Sequence, residues 1–169
     1  MPIQLQSYDA YSLIGLPPAA EAFHAYLTTV VPSGNLVPEP TIKSFSDCTY
    51  YSYHTLGLSF CFKPTKQPDN STTLNLDSID IYNGHTRDGF QPFTGHSYPC
   101  GLTATMEAHE IVALHGEPDR KGGGGKSRMP CWIEYQFEED GQTKGGILIQ
   151  LHGIDWEDRE MGWTSLVLF

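Results

Sequence analysis

Apolar positions along the chain follow two rhythms. In "PPAAEAFHAYLTTVVP", residues 17–32, Ala19, Ala22, Phe23, Tyr26, Leu27, Val30 and Val31 recur at steps of three and four. That spacing lays one apolar stripe along a helix. Pro17 and Pro18 fit a first helical turn, and Pro32 cannot continue one. A second such segment, "LTATMEAHEIVALHGEP", puts Met106, Ile111, Val112 and Leu114 at helical spacing. Thr103 is its predicted N-cap, Gly116 its predicted C-cap, and Pro118 lies beyond. Elsewhere the pattern reads as extended chain. Strands are predicted over 47–54, 56–64, 76–83, 131–139, 145–153 and 164–169. In "LGLSFCFKP", Leu58, Phe60 and Phe62 face one way, and Ser59 and Cys61 the other. In "LDSIDIYN", Ile79 and Ile81 oppose Ser78, Asp80 and Tyr82.

Helix, loop and three strands thus occur twice. Leu27 and Leu114 are 87 positions apart, Gly57 and Gly146 are 89 apart, and Ser78 and Ser165 are 87 apart. Near-equal offsets in the same order read as an internal duplication. The predicted fold is α+β: two tandem α-β-β-β units, each with its helix packed on one face of an antiparallel sheet. Residues 1–84 form the first unit, 85–100 a linker and 101–169 the second, in one compact body. The opposite sheet faces are mixed. They carry Ser59, Cys61, Asp80 and Tyr82 in the first unit, and Leu148, Gln150, Val167 and Phe169 in the second. They are predicted to form a broad exposed platform.

The run from "LHGEPDRKGGG" into "WIEYQF" and an apolar hairpin is similar to a known module. It resembles the small α+β unit of BamE-like outer-membrane lipoproteins and of tandem-repeat β-lactamase inhibitor proteins. Leu114, Gly116 and Pro118 match the turn that ends the helix in those proteins. The strings "YHTLGLSFCF" and "LDSIDIYN" also resemble the phagophore-acting factor family in pattern. The resemblance implies a two-unit sheet platform and a binding role, and transfers no catalytic residue.

Charge narrows the partners. The net charge is −10, from 20 acidic and 10 basic residues. Such a balance disfavours nucleic acid and anionic membranes. No apolar run nears the roughly 20 residues that span a bilayer, and the start of the chain does not read as a signal peptide. A cytoplasmic location is the default expectation. The four cysteines are scattered, without metal-ligand spacing, and read as buried free thiols.

Candidate chemistry is sparse. "DRKGGGGKSR", 119–128, looks like a phosphate-binding loop, but such a loop needs glycine where Arg120 stands. It would also have to run from strand into helix, whereas this segment leaves a helix and enters a strand. A flexible connection is expected instead, with Arg120, Lys121, Lys126 and Arg128 forming a basic lip. In "HEIVALH" the two histidines are six positions apart, roughly 600° around a helix, so they do not converge on a metal. "HGIDWEDRE" reads as a solvated acidic loop, with Trp156 as an interface anchor. Between the units, His85, Phe90, Phe93 and His96 could line a groove that His54 also faces.

No nucleophile elbow or dinucleotide fingerprint is present, and no cofactor or metal is called for. The first expectation is a binding protein, inhibitor- or immunity-like. Its contact residues would be Tyr51, Tyr53, Tyr82, Trp132, Glu134, Gln150, Trp156, Arg120 and Lys126. The alternative is a small cofactor-independent isomerase, cyclase or lyase, with His54, Asp80, His85, His96 and Glu134 as acid–base groups. The partner would be a protein or a small molecule, and a second copy of the chain is also a candidate.

Overall fold

The computed structural model describes residues 9–169. Among these residues, two α-helices and eight β-strands occur in the order α1 (Glu21–Val30), β1 (Thr41–Ser44), β2 (Thr49–Tyr53), β3 (Leu58–Lys66), β4 (Thr72–Tyr82), α2 (Ala108–His115), β5 (Arg120–Gly122), β6 (Trp132–Glu139), β7 (Gln142–Leu151) and β8 (Trp163–Leu168). The chain divides into an N-terminal unit, Asp9–His96 with Phe169, and a C-terminal unit built on Ser97–Leu168. Strands β1–β4 belong to the first and β5–β8 to the second, and their neighbours pair antiparallel.

This corrects the predicted fold. Two tandem α-β-β-β units with helices packed on one face of antiparallel sheets do not describe the chain, which is dominated by antiparallel sheet and has two short helices among the described residues. Strands β1 and β5 were not foreseen, and the helices have only ten and eight residues. The shortening has local causes. Pro17 and Pro18 lie ahead of α1, whose N-cap is Ala20. In α2 the N-cap is Glu107 rather than Thr103, because Glu107 and Glu110 form a reciprocal capping box. Gly116 ends α2 as foreseen, with φ of 82°.

In the N-terminal unit the strand periodicity holds. Leu58, Phe60, Phe62, Ile79 and Ile81 are all buried. Phe23 of α1 meets Phe60 edge-on at 5.3 Å and lies 5.5 Å from Phe62. Burying side chains of this size stabilises by about 1.5–3 kcal/mol each. Residues after β4 fold back on the turn that precedes β3. The amide of Gln91 donates to the His54 carbonyl, Thr94 to Leu56 and Phe93 to Tyr82. Phe90 is stacked between His54, at 4.3 Å, and Tyr82, at 4.1 Å.

The C-terminal unit buries Ile133, Tyr135 and Phe137 of β6 with Ile147, Ile149 and Leu151 of β7, and with Ile111 of α2. The Tyr135 hydroxyl donates to the Gly116 carbonyl at 2.8 Å, tying β6 to the end of α2. Burial pushes that hydroxyl's pKa up to about 12, with Glu117 and Asp119 adding to the rise. The mixed faces are less open than predicted. Ser59, Cys61 and Glu134 are buried. Cys61, Cys100 and Cys131 are buried, and Cys48 is partly accessible. Among the described residues, no helix is long and apolar enough to cross a membrane.

Candidate functional site

The glycine segment is folded, contrary to the flexible connection expected of it. Arg120–Gly122 pairs with β6 as an edge strand, in the register Arg120–Glu134, Lys121–Ile133 and Gly122–Trp132. Successive strand residues face opposite sides, so β5 presents one cation to each side of the sheet. Arg120 shares a face with Glu134 and Trp132. Its guanidinium lies 3.6 Å from the Glu134 carboxylate and 5.9 Å from the Trp132 ring. Lys121 is on the α2 side, with its ammonium 5.3 Å from the Trp156 ring. Each cation is thus held against an indole face, an attraction of about 0.5–1 kcal/mol where water has access.

Glycine is required for these contacts. A Cβ on Gly122 would come within 2.6 Å of the Trp132 indole, and one on Gly124 within 2.6 Å of Trp156 Nε1. Gly123, Gly124 and Gly125 have φ of 71°, 74° and 57°, a left-handed path that side chains oppose. The Trp156 indole N–H donates to the Gly123 carbonyl at 3.0 Å. The Gly124 amide donates to the Met129 carbonyl, and the Gly125 amide to Ile154, each at 2.7 Å. A phosphate cradle needs free amides, and these are engaged. Lys126 and Arg128 lie exposed just beyond. Among the described residues, neither they nor Lys121 have a carboxylate within ion-pair distance.

On the α2 side a groove of about 540 Å³ adjoins this edge. Ile133, Leu151 and Met161 contribute apolar lining, and Trp156, Lys121 and Arg159 line it as well. Asp158 and Glu117 complete its charged rim. One oxygen of Asp158 accepts the Glu160 amide, and one of Asp155 accepts Glu157, so the acidic loop partly caps itself.

The other foreseen residues scatter. Gln150 donates to the Cys131 carbonyl at 3.0 Å and to Pro130 at 3.3 Å, so it clamps the strand entry. Tyr51 packs edge-on against Phe62, and Tyr53 against Phe60. Tyr82 is occupied with Phe90, and its hydroxyl pKa is raised by burial and then by Asp80. His85 and His96 are exposed in loops. Burial alone pushes the Asp80 carboxyl up to about 6. Among the described residues, no hydrogen bond or ion pair joins Asp80 to His54, His85 or His96, and Glu134 belongs to the other unit. The acid–base set is therefore not assembled by hydrogen bonds.

Sequence reasoning missed Lys121 as half of a cation–indole pair. The signal was the alternation Arg120, Lys121, Gly122, hidden by the glycines that follow. At the start of α2, Glu107, His109 and Glu110 bring ligand-type atoms within 4.8 Å of one another. Both glutamates there cap the helix, and His109 pairs with Glu107 at 2.9 Å. Compared with known proteins, the chain matches no family model, no curated protein and no solved structure.

Proposed function

We propose that the C-terminal unit is a recognition module for an acidic segment of a partner protein, bound at the β5 edge and the basic turn that follows. One observation carries this reading. Four of the chain's ten Lys and Arg residues fall within 120–128, and the fold arrays them on an edge strand and turn with an indole on each side. A partner carboxylate would meet Lys126 and Arg128, which have no carboxylate within ion-pair distance among the described residues. An apolar anchor beside it would enter the groove by Trp156 and Met161. Interfaces of this kind favour Trp and Arg at their centres.

The test is fluorescence anisotropy with a labelled peptide of aspartate and glutamate carrying one leucine. K126E/R128E should weaken binding at least tenfold, since two attractions become repulsions. W156A should weaken it several-fold by opening the groove wall. K66E, a charge reversal on the N-terminal unit, should leave affinity within about twofold. Unchanged affinity in K126E/R128E, or equal loss in K66E, would refute the assignment.

A further inference from the structure

We propose that the N-terminal unit carries a second groove, which takes a basic peptide segment. This goes beyond the reading above, since it uses other residues and the opposite charge. The groove measures about 790 Å³ and lies between α1 and the stretch 37–40. Phe23 and Leu27 of α1, Val37, Pro38 and Tyr53 give it apolar lining. Its carboxylates are Glu21 and Glu39, and its lining contains no lysine or arginine. The remaining titratable groups are His24 and the Tyr53 hydroxyl. Burial raises the pKa of that hydroxyl, and Glu39 is the next cause, which places the carboxylate close to the ring.

The charge selects a cation, and the shape selects a side chain with an aliphatic stem. Lysine and arginine lay their methylenes along apolar walls and keep the charged head at a polar rim. Here the rim would be Glu21 and Glu39. The backbone favours a peptide over a free amine. Val37 and Glu39 each precede a proline, which holds them extended. Among the described residues, the N–H groups of both have no hydrogen-bond partner. They stand two residues apart on one extended stretch, the spacing at which a second strand pairs. Leu36, just before them, is 91% exposed and adds apolar surface at that end.

The experiment uses the full chain and a fluorescein-labelled peptide of alternating leucine and arginine, read by anisotropy near 0.15 M salt. Wild type should bind, and E21Q/E39Q should bind at least tenfold more weakly. A25R, which sets a resident cation on the helical wall of the groove, should weaken binding comparably. D69N/E138Q removes two exposed carboxylates outside the groove and should change affinity less than twofold. Thermal melts of each variant separate lost binding from lost fold. Wild-type affinity in E21Q/E39Q with the fold intact overturns the proposal. Equal weakening by D69N/E138Q does the same, because bulk acidity would then suffice. K126E/R128E should not weaken binding of this probe, which keeps the two sites' tests separate.

Discussion

Asp80 carries a charge that its surroundings oppose. It lies on β4 opposite Ser59, which is buried, and desolvation alone moves its carboxyl from 3.8 to about 6. A carboxyl whose folded pKa is raised binds its proton more tightly in the folded state. Stability is therefore highest below the unfolded value and falls as pH rises through the folded one. The loss should run from about pH 4 to about pH 6, and its full size is on the order of 3 kcal/mol. Asp80→Asn should match wild type near pH 4 and exceed it by about that amount near pH 7.5. Urea melts of both proteins across this range check it, and a constant gap would remove the argument. Alternation along "LDSIDIY" put Asp80 on the mixed face correctly. It could not give the depth of burial, because a period of two assigns sides and says nothing about what covers them. Gly57 shows the same division between pattern and packing. Its φ is 65°, and a Cβ there would run into the main chain of Gln91 and Phe93. Gly57→Ala should cost more than the roughly 1–2 kcal/mol of left-handed strain alone, because no side chain can swing aside. A melting temperature within a degree of wild type would show that the 91–94 segment yields instead.

At the scale of elements, length decided what the sequence disclosed. β3, β4, β6 and β7 run eight to eleven residues, and each shows an apolar side long enough to read. β1 is "TIKS" with all four residues exposed, and β5 is "RKG". Neither has room for an alternation, and both exist because a neighbouring strand offers them hydrogen bonds. α2 was read too long because Thr103 is a good capping residue, whereas the Glu107–Glu110 pair competes from inside the segment. The glycine turn after β5 makes a graded test of its folded state. A methyl at position 124 would press on Trp156 and on Cys131 Sγ, at 2.6 and 2.7 Å, and one at 123 would meet the Pro130 carbonyl. At 125 nothing lies within 4 Å, although φ is 57°. Gly123→Ala and Gly124→Ala should therefore destabilise by several kcal/mol, or expel Trp156 with a red shift in indole emission. Gly125→Ala should cost only about 1 kcal/mol and leave the emission in place. Equal, small effects at all three positions would mean that the turn is as flexible as its composition suggests.

Across the whole molecule, charge sets the two proposed sites against one field. The chain carries −10, so a positive peptide approaching Glu21 and Glu39 is drawn in from a distance and then held by local carboxylates. A negative peptide approaching Lys126 and Arg128 is repelled at long range and attracted only near contact. Salt separates these ranges, because the Debye length falls from about 30 Å at 0.01 M to about 8 Å at 0.15 M. For the leucine–arginine probe both effects weaken together, so its association rate should drop steeply with added salt. For the acidic probe the long-range repulsion is screened first, so its association rate should stay level or rise. Its dissociation rate should still increase as the close contacts weaken. Stopped-flow traces of each probe between about 0.01 and 0.5 M salt yield both rates. An acidic-probe dissociation rate that does not change with salt would mean that Lys126 and Arg128 make no close contact and would remove that assignment, and a salt-independent dissociation rate for the leucine–arginine probe would do the same for Glu21 and Glu39.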